Sequence, residues 1–471
     1  MNIINIKNSL SFKLFTIGFL VAILMIPTGL IAVLVNERQD RQAEAVREIS
    51  DKWALEQTLA GPILVVPYKA LRETLENGAK KTEEVVQYGY FLPETVAIEG
   101  LVEPERRQRG IYEAVIYTAK LKISGEFNAP DFAPWGIKPE MVMGDKARIA
   151  LGIPDVRGIK EEITFDWNGQ KLKLGPGTGE GAVIPTGASA QVKLGQAGQN
   201  GRYAYSAQIV LNGSRNLSFS PLGRTSTVAL SSGWPSPSFQ GAFLPEERTV
   251  AATGFSARWK VLELNRSFPQ SWLGDLPVLA GPPVMEPVNY EKPRTAAMGS
   301  LSGYDFGVSL LVPADEYQKT TRTLKYSILV LALTFLILFF FEAFYRKQVH
   351  SLQYILIGLA LSLFYVLVLS IAEYLGFNPA YLIAAAATIA LITLYTKAVF
   401  RAWRPALTEA LILVFIFGFI FVILQLEDYA LLTGSVGLFA ILAAVMYISR
   451  NIDWYGLNGS RPEDRTNKFD N

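Results

Sequence analysis

The sequence predicts a polytopic α-helical membrane protein, with one N-terminal and five C-terminal transmembrane helices flanking a large all-β, sandwich-like extracytoplasmic domain. Three observations carry this. Apolar blocks of about 20 residues recur, each long enough to cross a hydrocarbon core of roughly 30 Å. Basic residues collect at alternate turns between those blocks. Across the long insert that separates the first block from the rest, the apolar period changes to two.

The first block runs from Leu14 to Val35, behind Lys7 and Lys13. It is too long for a signal-peptide core and lacks a small-x-small cleavage site, so it reads as a retained anchor kinked at Pro27 and Gly29. The other five blocks are Tyr326 to Phe344, Leu352 to Ala372, Ala380 to Val399, Leu407 to Leu424 and Tyr429 to Ser449. Hydrocarbon leaves no partner for an unbonded N–H or C=O, so each block is expected to be a complete helix. The chain thus divides into 1–35 (N-terminus and first helix), 36–325 (insert with helical stalks), 326–449 (five-helix block) and 450–471 (tail).

Charge sets the expected orientation, because lysine and arginine in short loops stay cytoplasmic. Arg346 and Lys347 follow the second helix, Lys397, Arg401 and Arg404 the fourth, and Arg450, Arg461, Arg465 and Lys468 the sixth. The intervening turns, Glu373-Tyr-Leu-Gly-Phe-Asn-Pro and Gln425-Leu-Glu-Asp-Tyr, carry no basic residue. Both termini are then cytoplasmic, and the insert lies outside. Lys319, Arg322 and Lys325 fall on the outer side, but they belong to a long domain where the rule weakens.

The chain leaves the first helix through Glu37 to Trp53, where Glu37/Arg41 and Glu48/Lys52 are spaced as i,i+4 pairs and Ala43, Val46, Ile49 and Trp53 form one stripe. This is an amphipathic stalk, expected to stop at Gly61-Pro62 before a strand begins at Ile63-Leu-Val-Val66. A second stalk opens at Pro313-Ala-Asp-Glu-Tyr and is expected to cover the first stripe. Between the stalks, alternation over 113–123, 163–167, 203–211 and 255–261 predicts half-buried antiparallel strands. Two passages echo each other: Gly89-Tyr-Phe-Leu-Pro-Glu-Thr-Val-Ala-Ile-Glu-Gly100 and Gly241-Ala-Phe-Leu-Pro-Glu-Glu-Arg-Thr-Val-Ala-Ala-Thr-Gly254. They suggest a duplicated unit, in which Phe91 and Phe243 occupy equivalent buried positions and the domain forms two repeated lobes.

Half the residues are hydrophobic, 18% are charged and the net charge is +2, which gives no electrostatic basis for a nucleic-acid partner. No cysteine is present, so thiol catalysis and thiolate metal sites are absent. The only histidine, His350, sits in an expected cytoplasmic turn, which removes histidine triads and histidine metal clusters from the insert. Gly175-Pro-Gly-Thr-Gly-Glu-Gly181 lacks the Lys-Ser/Thr ending of a phosphate loop and reads as a hairpin. No cofactor, metal or catalytic residue is expected. Glu342 and Glu409 are membrane-block carboxylates near helix ends; Glu409 is placed in a first helical turn after Pro405, where the dipole favours an acid. Gly233-Trp-Pro-Ser-Pro-Ser-Phe239 offers Trp234 and Phe239 as a candidate interaction surface, with a packed corner between strands as the alternative.

Several of these stretches carry a resemblance. Glu37-Arg-Gln-Asp-Arg, the run from Trp53 through Gln57 to Gly61-Pro-Ile-Leu-Val-Val-Pro-Tyr68, the paired Phe-Leu-Pro-Glu runs, Trp234-Pro-Ser-Pro-Ser-Phe-Gln-Gly-Ala-Phe-Leu-Pro245 and His350-Ser-Leu-Gln-Tyr-Ile-Leu-Ile-Gly-Leu359 fall in an order that resembles the CreD family of bacterial inner-membrane proteins. The resemblance covers nearly the whole chain. It implies an inner-membrane protein tied to cell-envelope integrity and colicin tolerance, under two-component control, and implies no reaction. The expected function is therefore non-enzymatic, through periplasmic contact with an envelope component and with the lipid bilayer as the other partner. A transporter or lipid-handling role for the C-terminal helices is the main alternative, and a hydrolase built on outer-domain carboxylates the third. The sequence assigns no oligomeric state.

Overall fold

The computed structural model describes residues 10–76, 79–181, 183–195, 201–274, 301–310, 316–345, 347, 349–426 and 429–450. Pro313 to Asp315, Arg346, Glu427, Asp428 and the tail beyond Arg450, all used in the sequence reading, lie outside them. The chain forms two compact units, one of Met1–Ala43 with Ala314–Asn471 and one of Glu44–Pro313.

Six helices among the described residues are long and apolar enough to cross a membrane. Helix α1 (Leu10–Trp53) runs unbroken through Pro27 and includes the first stalk. The short α2 (Glu316–Lys325) precedes α3 (Ser327–Tyr345), α4 (Ser351–Leu375), α5 (Phe377–Phe400), α6 (Trp403–Gln425) and α7 (Ala430–Ser449). Each apolar block was placed within a few residues of its helix. The second stalk is the separate helix α2, which ends just before Tyr326. Helix α2 buries Tyr317, Thr320, Thr323 and Leu324 along one stripe, and its Tyr317 hydroxyl donates to Glu373 (3.1 Å), which also lies 3.7 Å from the Arg38 guanidinium. One carboxylate at the end of α4 therefore ties α1 to α2.

Packing inside the membrane unit is close. A Cβ at Gly358 would lie 2.2 Å from Leu24 Cδ1 and 3.0 Å from the Phe335 ring, so any larger residue there would displace side chains between α1, α3 and α4. Phe364, Tyr381 and Phe417 pack ring to ring, and the Tyr381 hydroxyl donates to the Phe417 carbonyl (2.8 Å). His350 caps α4: its side chain accepts from the Leu352 N–H, and Gln353 returns a bond to the His350 N–H.

The described residues of the second unit form seventeen strands: β1 (Gln57–Glu76), β2 (Ala79–Phe91), β3 (Thr95–Arg109), β4 (Tyr112–Asn128), β5 (Arg148–Gly152), β6 (Thr164–Trp167), β7 (Gln170–Lys173), β8 (Gly175–Pro176), β9 (Gly187–Gln191), β10 (Arg202–Ser214), β11 (Asn216–Phe219), β12 (Thr225–Ser232), β13 (Pro237–Gly241), β14 (Glu247–Ala251), β15 (Gly254–Leu262), β16 (Ser271–Leu273) and β17 (Phe306–Leu310). One sheet runs β13-β17-β11-β1-β5-β9-β8, with β2 on β1 and β16 on β2. The other runs β14-β15-β12-β3-β4-β10-β6-β7. Both contribute to one core that includes Leu64, Val66, Ile98, Ile123, Phe219 and Trp259. The four alternating stretches read from sequence lie on β4, β6, β10 and β15. The sheets are mixed, however: β1 pairs parallel with β11, and β3 parallel with β12. Strand β1 also begins earlier than expected and passes through Gly61-Pro62 at a register shift against β5.

The echoed passages make the same connection. Each leaves the nine-stranded sheet (from β2 or β13), bends at Leu-Pro-Glu, and enters a hairpin of the eight-stranded sheet (β3–β4 or β14–β15). The Glu94 N–H donates to the Glu126 carbonyl (2.8 Å) and the Glu246 N–H to the Arg258 carbonyl (2.9 Å), at matching registers. The environments differ in depth: Phe91 is buried and Phe243 half-buried, while Leu92 is buried and Leu244 is 67% exposed. Both copies bridge one and the same pair of sheets.

A polar latch fixes the junction between α1 and β1. Asp155 accepts from the Leu55 N–H (2.9 Å) and from Arg157 Nη2 (2.7 Å), and Arg157 also donates to the Asp51 carbonyl (2.9 Å). Trp53 is half-buried, and its cover comes from strands and loops of this unit: Nε1 donates to the Tyr117 carbonyl (3.3 Å), while Arg107 and Lys160 lie against the ring. The Arg157 guanidinium and the Leu55 N–H together hold the Asp155 carboxyl down at about 2 against the opposing pull of burial. A carboxyl held below its unfolded value stabilises fully above that value, near 4, and the contribution is lost as pH falls through about 2. Arg157 is exposed, so solvent screening reduces the contribution of the pair. Asp155→Asn should remove this increment at neutral pH and flatten the acid limb of the unfolding curve between pH 5 and 2. Unfolding curves for the two proteins that stay parallel across that range would exclude the latch.

Candidate interaction surface

The sequence offered Trp234 and Phe239 as a surface, and the structure places neither ring outward. Trp234 is 4% exposed; Ser232 Oγ accepts from its backbone N–H (3.3 Å), and Arg106 covers the ring at 4.9 Å. Phe239, on β13, packs edge-on against Phe255 (5.8 Å) and Trp259 (5.7 Å). The proline-flanked corner exists because it carries large rings into the shared core, so this geometry corrects the platform reading in favour of the packed corner. Gly175–Gly181 likewise serves local structure: Gly175-Pro176 pairs with β9, and the Thr178 hydroxyl donates to the Ile184 carbonyl (2.8 Å).

The outer face of the eight-stranded sheet presents a site that the sequence reading missed. Alternate residues of β15, β12, β3, β4 and β10 point away from the core, and the ladder aligns them in rows. One row reads Arg258, Ala229, Glu99, Lys122 and Gln208; the next reads Ser256, Ser231, Leu101, Lys120 and Val210. These rows line an open groove of about 750 Å³, with Arg248 and Thr249 of the edge strand β14 at one side. Lys120 pairs with Glu103 (2.7 Å), and Arg258 lies 3.8 Å from Glu247, while Leu101 stands 44% exposed among these charges. Small residues at the centre, charges of both signs at the flanks and an exposed leucine suit a broad contact. The signal was present in the polar half of each alternating strand, but it becomes a surface only when strands distant in sequence are set side by side.

The membrane unit contains the other polar feature. Glu342, in the last turn of α3, accepts from Lys13 of α1, from the Val349 N–H (3.1 Å) and from the Tyr354 hydroxyl of α4 (3.4 Å). A carboxylate opposes the helix dipole at a C-terminus, and this cation with two further donors offsets that. Glu409 is wholly buried on α6, and among the described residues neither carboxylate oxygen has a hydrogen-bond partner. Helix α6 begins at Trp403, which places Glu409 in the second turn, beyond the free N–H groups that a first-turn acid would meet. The expectation of a dipole-stabilised first-turn acid is therefore corrected.

The comparisons agree with this architecture. Residues 9–455 match the family model described as "Inner membrane protein CreD". The chain is 31% identical over 467 residues to the inner membrane protein CreD of Escherichia coli (strain K12), covering 96% of this chain and 95% of that protein. The description names an inner membrane protein and no enzymatic activity. A match across the first helix, the whole β unit and the C-terminal helices shows that this chain belongs to the CreD family of inner membrane proteins.

Proposed function

We propose that the protein contributes to cell-envelope integrity through non-enzymatic contact, its helices fixing it in the inner membrane and its β domain meeting an envelope component in the periplasm. The observation that carries the reading is the outer face of the eight-stranded sheet. Its aligned rows of charged, small and apolar side chains form an open groove rather than an enclosed reaction chamber. Photo-crosslinking residues at Gln208 and Ala229 should give defined adducts in intact envelopes, and the same probe at buried Trp234 should not. The double charge reversal K120E/K122E should abolish those adducts together with the envelope phenotype. Wild-type adducts restricted to other faces of the domain would sink this assignment.

The orientation belongs to the same proposal. Lys347, Lys397, Arg401, Arg404 and Arg450 gather at one end of the helices, while Glu373 and Gln425 mark turns at the other. The chain lacks native cysteine, so single cysteines report cleanly. Cysteines at Asn378 and Gly177 should react with an impermeant thiol reagent once the outer membrane is permeabilised, and one at Ala402 should not. Labelling at Ala402 and silence at Asn378 would reverse the topology. Transport or lipid handling by the helix block is a second reading, favoured by the buried carboxyl groups Glu342 and Glu409.

A further inference from the structure

We propose that Glu409 is a proton-binding site of the membrane block, held as the neutral acid in the resting protein and set beside the ionised pair Lys13–Glu342. This goes beyond the envelope-contact reading and does not depend on it.

The two carboxyl groups share one end of the helix block but not one environment. Lys13 supplies a counter-charge to Glu342, and the Val349 N–H and Tyr354 hydroxyl complete its shell. Glu409 has none of this. It is 0% exposed, neither oxygen receives a hydrogen bond from any of the described residues, and it lies within electrostatic range of the buried Tyr354 hydroxyl, which Glu342 already occupies. The buried Thr396 hydroxyl of α5 lies close enough to interact with Glu409, but the pair does not meet full hydrogen-bond geometry. Of the other described cations at this end, Arg401 and Arg404 are exposed, and three more make contacts elsewhere. Lys347 donates to the Val399 carbonyl (2.5 Å) and lies near the Phe400 ring, Lys397 sits 3.8 Å over Trp403, and Arg450 sits 3.9 Å over Tyr447.

An ionised carboxylate without donor or cation is not sustained in such surroundings, whereas the neutral acid is, and its O–H can turn to Thr396. A neutral acid buried beside an ion pair is placed to hold and release one proton. The step is simple: the Glu409 O–H bond breaks, the proton passes to water at this end of the block, and the carboxylate left behind needs the positive charge of Lys13, which it can share only if the Lys13–Glu342 pair rearranges. Proton release and the contact between α1 and α3 are thereby linked.

The test uses the full-length protein in lipid vesicles and a lipophilic carbodiimide, which modifies protonated carboxyl groups in apolar surroundings. Mass spectrometry of the wild type should find Glu409 modified at neutral pH, with the modification lost as pH is raised, and Glu342 unmodified. Replacing Glu342 by glutamine frees Lys13 as an uncompensated cation and should move the loss of modification at Glu409 to lower pH by about one unit or more. An acid sealed in for packing alone would show no such movement. E409Q should abolish the carboxylic-acid C=O band that responds to deuterium exchange in the infrared spectrum. The proposal fails if wild-type Glu409 is unmodified at neutral pH, if its modification is independent of pH, or if E342Q leaves the pH dependence in place. Protection of Glu409 by sodium at constant pH would assign the site to a metal cation and overturn it equally.

Discussion

Trp259→Ala is expected to destabilise the β unit by about 4 kcal/mol, among the largest single-residue effects in the chain. The indole is 0% exposed on β15, and the rings of Phe239 (5.7 Å) and Phe306 (5.8 Å) pack against it from the nine-stranded sheet. Truncation removes the side chain that joins the two sheets and leaves a cavity that neighbouring strands, fixed by their ladders, cannot close. Among the described residues the Trp259 Nε1–H has no hydrogen-bond partner, so the ring contributes through its volume. Trp259→Phe should therefore cost far less than Trp259→Ala. Hydrogen exchange at β12 and β15 in the detergent-solubilised protein measures both; equal losses for the two variants would mean that packing at this position is not what holds the sheets together.

Gln57→Ala is expected to cost roughly 3–5 kcal/mol for a different reason. Gln57 is buried at the start of β1, where its Nε2 donates to the Asp155 carbonyl (2.9 Å) and the Asn212 carbonyl (3.0 Å), while its Oε1 accepts from the Asp155 N–H (3.4 Å). Removal takes a partner from three backbone groups in a place that water does not reach; the Asp155 carbonyl keeps the Gly158 N–H (3.1 Å), and each group left unpaired costs about 1–3 kcal/mol. A Cβ at Gly158 would lie 2.6 Å from this same Nε2, so the backbone there is glycine to let the amide in. Gln57→Leu, which keeps the volume and loses the bonds, should be nearly as damaging as alanine. Full stability in the leucine variant, read by pulse proteolysis of the solubilised chain, would show that the amide bonds carry nothing.

The parts of the fold that the sequence made legible are those set by one-dimensional pattern. A block of twenty apolar residues has a single solution in hydrocarbon, and strands such as β4, β10 and β15 announce themselves by alternation. The chain pairing did not follow from pattern. The parallel partnership of β3 with β12 joins residues such as Val96 and Ser226, and no local feature of either segment specifies the other. Trp234 misled because an aromatic flanked by prolines looks alike whether the corner faces water or the core. Glu409 was assigned to a first turn because Pro405 was taken as the helix start, whereas α6 begins two residues earlier, at Trp403. The groove was invisible for the opposite reason. Its side chains are the ordinary polar halves of ordinary strands, and adjacency alone makes them a surface.

The position of β17 bears on how the protein is made. This strand, Phe306–Leu310, is the last of the β unit in sequence, yet it lies inside its sheet, paired with β11 on one side and β13 on the other. Synthesis delivers the N-terminal strands first. Until residue 310 has emerged, β13 has no ladder partner and one edge of β11 stands open, beside a β1–β11 pairing that already closes a loop between Gln57 and Leu217. The nine-stranded sheet is thus completed by its final segment, inserted between two waiting edges. Nascent chains halted short of β17 should expose both edges to proteases and to other chains, which makes the interval before its arrival the one in which the newborn protein most needs an escort.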